Sequence, residues 1–353
     1  MRARPAFRTH RPRRRRWMRR AALSLLGLVA LAGGAGAAWW HETALPKIAE
    51  GAPVVRLVVP PGASAEAIAQ QLHALGLVRH PLVFRVLAQV RGKGAQLKAG
   101  EYAFYGPLSL EGVLDLLARG DVVRRDLTVP EGRSLDEIAA LVAAEGIGLE
   151  AFLAAARDPA PVRDLDPAAA DLEGYLFPDT YDVPRAPEAP RALVHRMTQR
   201  FREVIGPQLS RITERGLTVR QVVTLASIVE LETASPPERP RIAAVFLNRL
   251  ERGMPLQTDP SIVYALKKAG RWDGNIRRRD LDILSPYNTY RRPGLPPGPL
   301  GSPGREAIRA VLEPAGTKEL YFVSRNDGTH EFSETLAEHN RAVNRYQRRR
   351  ASS

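Results

Sequence analysis

The sequence predicts an α+β protein carried behind one membrane-crossing helix. Three observations support this. Charge disappears from residues 21–40, directly after a block of arginines. A strand, a Pro/Gly turn and a helix start occur twice, at residues 59–64 and 129–134. Beyond about Val204 the chain turns to long apolar helical stretches, a proline-rich loop and a hairpin signal. The 353 residues leave room for two or three domains with a real core. With 44% hydrophobic and 25% charged residues, the composition is that of a folded protein rather than a disordered one.

Ten of the formal +14 charges are arginines within the first twenty residues, which leaves +4 for everything after them. The folded body is therefore not predicted to bind nucleic acid. Residues 1–20 read as a cytoplasmic segment beside anionic lipid, and residues 21–40 as a transmembrane anchor. Twenty helical residues span about 30 Å, enough to cross a bilayer core. Trp39 and Trp40 suit the far interface. The competing reading is a cleaved signal peptide, since Ala35-Gly36-Ala37 fits the small-residue cleavage pattern. The span's length and its two tryptophans favour the anchor, and both readings export the body. A soluble protein with an arginine tail is a third reading, which the span opposes. Residues 41–53 read as a linker.

The repeat follows. Val59-Pro60-Pro61-Gly62-Ala63-Ser64, then Ile68-Ala69, matches Val129-Pro130-Glu131-Gly132-Arg133-Ser134, then Ile138-Ala139. The match runs without gaps through Gly76-Leu77 and Gly146-Ile147. Each copy predicts a strand, a turn and a helix with a serine N-cap. Ser134 and Glu137 also form a capping-box pattern. An apolar stretch with Phe84 or Phe152 follows, then a strand-like piece with Tyr102 or Tyr181. A β-α-α-β unit is thus expected over residues 54–122 and, more loosely, over 123–203. Repetition of this kind points to structure or binding more than to chemistry.

Farther on, residues 218–231 predict a buried helix, residues 239–251 a second and residues 261–268 a third. The proline and glycine of residues 285–304 predict an ordered functional loop. Asn326-Asp327-Gly328 between two short apolar runs is a hairpin signal. A last helix is expected from about Glu334.

Several chemistries drop out. Without cysteine there is no disulfide framework, no thiolate catalysis and no cysteine-bound zinc. No Gly-x-Ser-x-Gly elbow, P-loop or His-Glu-x-x-His helix occurs. His330 and His339 lack ligand spacing, so neither a metal nor a cofactor is expected. Carboxylates remain. Glu230 closes the apolar run of residues 222–229, where poor solvation and the helix C-terminus both make a carboxyl hold its proton. That is how a glutamate becomes a general acid near neutral pH. Glu232 would point about 200° away on the same helix. The two could share a site only if the helix ended between them.

Seven ordered motifs then resemble one family. They are residues 225–230 (Leu-Ala-Ser-Ile-Val-Glu), residues 245–250 (Val-Phe-Leu-Asn-Arg-Leu) and residues 256–260 (Leu-Gln-Thr-Asp-Pro), with residues 173–181, residues 287–290 (Tyr-Asn-Thr-Tyr), residues 294–298 (Gly-Leu-Pro-Pro-Gly) and His330-x-Phe332. Together they look like the YceG-like endolytic murein transglycosylases and cover nearly all of the chain past the anchor. Leu231 departs from the pattern, since many relatives carry lysine there.

The resemblance implies a single-pass inner-membrane protein with a LysM-like module at 54–122 and a periplasmic catalytic domain at 123–348. It places Glu230 at the family's catalytic position. The implied substrate is the peptidoglycan glycan strand, cut between N-acetylmuramic acid and N-acetylglucosamine to leave a 1,6-anhydro end. On this reading one carboxyl suffices: Glu230 protonates the leaving oxygen, then takes the proton of the muramic acid 6-hydroxyl as that oxygen closes onto C1. Gln257, Asp259, Asn288 and Tyr290 are candidates to hold the sugars, with Tyr264 behind them. Asp259 reads equally well as a cap for the helix at Ser261. Glu173 and Tyr181 fall in the second repeat and serve structure or binding, and Glu232 is a helper or a structural partner. The family also implies a role in ending growing strands beside peptidoglycan synthases. The rivals are a non-enzymatic peptidoglycan-binding scaffold and a hydrolytic muramidase, and the products separate all three.

Overall fold

A computed structural model describes residues 13–348. The chain divides into two compact units between Val123 and Arg124.

The first unit opens with helix α1 (Arg13–Thr43), whose stretch Trp17–Thr43 is long and apolar enough to cross a membrane. Trp40 is exposed, whereas Trp39 packs against the unit's core. Only one of the two tryptophans is therefore free to face an interface. The expected linker is part of the fold: β1 (Pro46–Ile48) pairs antiparallel with the short β4 (Leu108–Ser109). Between them run β2 (Val55–Val59), α2 (Ala65–Ala74), α3 (Pro81–Val90) and β3 (Gly100–Phe104), with α4 (Leu110–Arg119) following β4. β2 and β3 pair antiparallel with Leu57 opposite Tyr102. Leu57 and Val59 point inward while Arg56 and Val58 point out, the period-two pattern of a strand with one wet face. The core joins Ile68 and Leu72 of α2, Phe84 and Leu87 of α3, and Leu114 and Leu117 of α4 to Tyr102 and Phe104. The Tyr102 hydroxyl stays satisfied by donating to the Lys98 carbonyl at 2.8 Å.

The second unit begins with β5 (Arg124–Thr128), α5 (Leu135–Ala144) and α6 (Leu149–Ala156), then β6 (Thr180–Pro184), which pairs antiparallel with β5. The Ser134–Glu137 capping box forms as the sequence predicts. Next come α7 (Ala189–Ile205), α8 (Leu209–Glu214), α9 (Val219–Glu232), α10 (Arg239–Glu251), α11 (Asp259–Lys268) and α12 (Arg305–Leu312). The unit ends with the hairpin β7 (Tyr321–Ser324) and β8 (His330–Ser333) and with α13 (Leu336–Val343). Asn326 takes the left-handed φ of +63° that its hairpin turn requires.

Helix α9 is the centre of this unit. A Thr218–Gln221 capping box starts it, and all eight residues of 222–229 are buried. A helix apolar all round is stable only when covered all round. Here α10, α11 and α12 pack against it. The residue that follows this run is Glu230, so the fold delivers a carboxylate to the edge of its own core.

Candidate active site

The last turn of α9 presents Glu230 and Glu232 to different surroundings. The helix runs through Glu232 without a break, so the two carboxyls do not share a site. The Glu230 side chain is 5% exposed. Its Oε1 accepts from Arg239 Nη2 at 2.6 Å, and its Oε2 accepts from the Gly304 backbone N–H at 3.0 Å. Arg239, the first residue of α10, is itself buried and reaches Glu131 Oε2 at 3.5 Å with the same nitrogen. A second carboxylate, which the sequence did not reveal, therefore stands beside Glu230.

Glu131 reaches this place because three segments are locked together by main-chain bonds. Gly132 N–H donates to the Ser302 carbonyl at 2.8 Å, and Ser302 N–H donates to the Arg133 carbonyl at 2.9 Å. Ser227 of α9 accepts from Leu300 N–H at 3.0 Å. The turn after β5, the loop at 300–304 and the end of α9 thus form one frame. Gly132 lies at φ +76°, beside Leu231 and the Glu230 stem. A Cβ at Gly304 would meet the Glu131 carboxylate, so any side chain there would push Glu131 out of its present place beside Arg239.

Burial raises the proton affinity of Glu230 above the ordinary carboxyl range. The Gly304 N–H opposes the rise, the nearby Glu131 charge adds to it, and the Arg239 charge opposes it. The net direction is the one general-acid work needs, and desolvation decides it.

A cavity of about 430 Å³ opens beside this frame, lined by Glu131, Ser134, Leu231, Asp259, Tyr264 and Leu300 among others. Glu131, 45% exposed, stands in its wall. Glu230 lies just behind it, next to the cavity-lining Leu231. A second cavity of about 480 Å³ is lined by Glu232, Arg249, Gln257, Asp259, Tyr290 and the Tyr321–His339 pair, among others. Asp259 belongs to both walls.

The remaining expected site residues sort accordingly. Gln257 and Tyr290 lie on the second cavity, and the Tyr290 hydroxyl donates to Asp259 Oδ1 at 2.5 Å. Asp259 is not a cap: Thr258 holds the N-cap position and Asp259 opens α11. Glu232 accepts from the Thr258 hydroxyl, and burial lifts its carboxyl to about 7. Asn288 is fully buried; its Nδ2 donates to the Leu281 and Ile283 carbonyls and its Oδ1 accepts from Tyr290 N–H. It holds the loop's shape and lines neither of these two cavities, bordering instead a smaller one of about 240 Å³ among the prolines of its own loop. Tyr264 walls the first cavity, but its hydroxyl is turned inward to Glu173 Oε2 at 3.1 Å. Glu173 also accepts from Leu135 N–H at 2.8 Å, which ties the start of α5 to α11. Tyr181 is buried and donates to the Phe177 carbonyl, a structural role. His330 pairs with Glu238 at 2.7 Å on the hairpin.

Sequence reasoning missed Glu131, Arg239 and Gly304. Glu131 did carry a signal: it occupies the turn position where the first copy of the repeat has Pro61. Arg239 and Gly304 carried none that one sequence could reveal.

The profile of the YceG-like family matches residues 57–345. The chain belongs to the YceG-like family. A Streptococcus pneumoniae serotype 2 protein named endolytic murein transglycosylase is 34% identical over 91% of this chain, and the chain spans 63% of that relative's length. A Bacillus subtilis protein of the same name is 32% identical over 83% of this chain and 84% of its own. Among solved structures, a yceG-like protein from Listeria monocytogenes superposes with a TM-score of 0.56 at 29% identity, covering 82% of this chain and 99% of the other. Residues 225–230 and 256–260, two of the stretches on which the sequence resemblance rests, build α9's end and the start of α11, and Asp259 there lines both cavities.

Proposed function

We propose that this YceG-like chain is a peptidoglycan lytic transglycosylase that cuts glycan strands endolytically at the N-acetylmuramic acid–N-acetylglucosamine bond. The observation that carries the reading is Glu230: a carboxyl 5% exposed, raised in proton affinity by burial, and framed by Arg239, Gly304 and Glu131. The relatives named endolytic murein transglycosylase support the substrate.

The reaction follows from these groups. Glu230 in its acid form gives its proton to the glycosidic oxygen, and the C1–O bond breaks with the sugar's own acetamido group supporting the cationic centre. The resulting Glu230 carboxylate accepts the proton of the 6-hydroxyl while O6 bonds to C1, which closes the anhydro ring and restores the acid. Arg239 and the Gly304 N–H meet the charge that appears between the two steps. The Glu131 charge adds to the rise in proton affinity that burial gives Glu230, and Glu131 stands in the cavity wall on the substrate side of the pair.

The wider reading goes with it. The helix at residues 17–43 serves as a single-pass inner-membrane anchor with the body in the periplasm, near the synthases whose strands it would end. Residues 54–122 serve as a LysM-like module, and residues 123–203 as its diverged second copy within a catalytic domain reaching 348. Support for the duplication is geometric: both copies place two helices between antiparallel partner strands, and Gly62 and Gly132 turn the chain at φ +73° and +76°.

Mass spectrometry of products from purified glycan strands tests the proposal. Anhydro ends from the unmodified protein, with a loss of about a thousandfold in Glu230→Gln, are expected. Reducing ends would make it a muramidase, and binding without products a scaffold.

A further inference from the structure

Helix α3 of the first unit is apolar on two sides but covered on one. Phe84, Leu87 and Ala88 are buried in the unit's core. Leu82, Val86 and Val90 are exposed, Leu82 at 61% and Val90 at 70%. They recur every four residues, so they stand in one row along the helix. A single exposed leucine needs no explanation, but a row on a helix whose other face is already core does. A helix apolar on every side is normally covered on every side, and this row stays open.

Place and charge select what covers it. α3 packs against α1, and Arg79, just ahead of α3, reaches Glu42 in the last turn of α1 at 3.5 Å. Trp40 is exposed in that same turn. The row therefore begins beside the point where α1 ends its apolar stretch. Residues 79–98 carry Arg79, Arg85, Arg91, Lys93 and Lys98 and no acidic residue. Arg79, Arg85 and Arg91 pair with Glu42, Glu66 and Glu111, but all three arginines are at least half exposed. Exposed pairs of this kind are weak, so the guanidinium groups stay able to meet other anions. An apolar row calls for an apolar medium, and basic groups around it call for anions. An anionic bilayer surface offers both. A second copy of the chain is the poorer match, because face-to-face association would bring these like charges together.

We infer that α3 lies on the membrane surface as an interfacial helix, with the Leu82–Val86–Val90 row sunk to the acyl boundary and the arginines on lipid phosphates. This rests on the anchor reading of α1. Ten helical residues make about 15 Å, too short to cross a bilayer but enough to lie along one. The consequence is mechanical. α1 and α3, joined through Glu42 and Arg79, hold the first unit to the bilayer at two places, so it does not swing freely about the end of α1.

The chain has no cysteine, so a single introduced one carries a fluorophore without ambiguity. The full chain is reconstituted in vesicles of phosphatidylcholine, alone or mixed with phosphatidylglycerol, and quenched by a lipid-borne nitroxide or by aqueous iodide. Gln89→Cys, at an exposed position beside the row, reports on α3. Val58→Cys, on the outer face of β2 and 62% exposed, is the comparison, and Leu28→Cys reports on α1. Lipid quenching at 89 is expected to exceed that at 58 about threefold in the anionic vesicles and to fall in pure phosphatidylcholine. Adding Leu82→Ser with Val90→Ser should abolish the excess without lowering the melting temperature, since both sites are exposed. Equal lipid quenching at 89 and 58, equal quenching in both lipids, or quenching that survives the double substitution would overturn the inference. A label at 89 shielded from both quenchers would mark contact with a second copy and overturn it too. Lipid quenching at 28 but not at 89 sinks the present inference alone. No lipid quenching at 28 sinks the anchor reading and the inference with it.

Discussion

Glu173→Gln should flatten part of the dependence of stability on pH. Glu173 is about 6% exposed, and burial lifts its carboxyl from 4.5 to about 7 against the pull of Leu135 N–H, Lys268 and the Tyr264 hydroxyl. A carboxyl whose proton is held more tightly in the folded state contributes its full share below the unfolded value near 4.5. That share is lost as pH rises through the folded value near 7. The difference between 4.5 and about 7, at 1.36 kcal/mol per unit, is about 3 kcal/mol. For a unit of this size that corresponds to roughly 6–12 °C in melting temperature. Glutamine mimics the protonated acid, since its carbonyl can still accept from Leu135 N–H and its NH₂ can donate to the Tyr264 oxygen. Glu232, also lifted to about 7, supplies a parallel loss that the substitution leaves in place. The assay is thermal unfolding from pH 4 to pH 8.5 for both proteins. The variant should lose about half of the decline seen in the parent between pH 4.5 and 7.5, and should be the more stable of the two at pH 8. An identical decline in both would refute the reasoning, because Glu173 would then carry no extra proton in the folded state.

Other outcomes follow from the same geometry. Glu131→Gln removes a charge that raises the Glu230 proton affinity, so the alkaline limb of the cleavage profile should move to lower pH; a limb that stays put or moves up would detach Glu131 from Glu230. Asn288→Ala strands two carbonyls and one N–H, at about 1–3 kcal/mol each, so melting temperature and activity should fall together. Tyr290→Phe frees Asp259 without opening a cavity, so KM for long strands should rise several-fold while the melting temperature moves by no more than a few degrees.

Much of the second unit was legible because its signals are local. The Thr218 cap and the unbroken apolar run of 222–229 specify a covered helix wherever they occur, and Pro236-Pro237 ahead of Arg239 marks the next helix start. The helix at 305–312 and the long helix at 189–205 were not foreseen: each follows a proline-rich stretch that reads as loop, and only tertiary burial of Leu193, Met197 and Phe201 reveals the second as core. Asn288 shows the limit for the site. A polar residue in a Pro/Gly loop has the same sequence signature whether it faces a ligand or its own loop's carbonyls. Glu131 shows the converse. It lies 99 residues before Glu230, and only the Gly132–Ser302 bridge, which no local pattern encodes, brings the two to the same arginine.

That shared arginine bears on how one carboxyl can act as acid and base in turn. A glutamate that is only buried would hold its proton but could not easily give it up, since the anion left behind would be unsolvated. A glutamate that is only ion-paired would be an anion from the start and have no proton to give. Glu230 has both influences at once: burial and the Glu131 charge favour the acid, while Gly304 N–H and Arg239 stand ready for the anion. Because these partners are fixed before any proton moves, the change of charge needs little rearrangement. Glu131 adjusts the balance, for its charge competes with Glu230 for Arg239. A substrate that neutralises or displaces Glu131 from the cavity wall would release Arg239 to Glu230 and ease loss of the proton at the moment the glycosidic oxygen is in place. On this account Glu131, at the turn position that is Pro61 in the first unit, is what ties the turn after β5 to the chemistry proposed for Glu230.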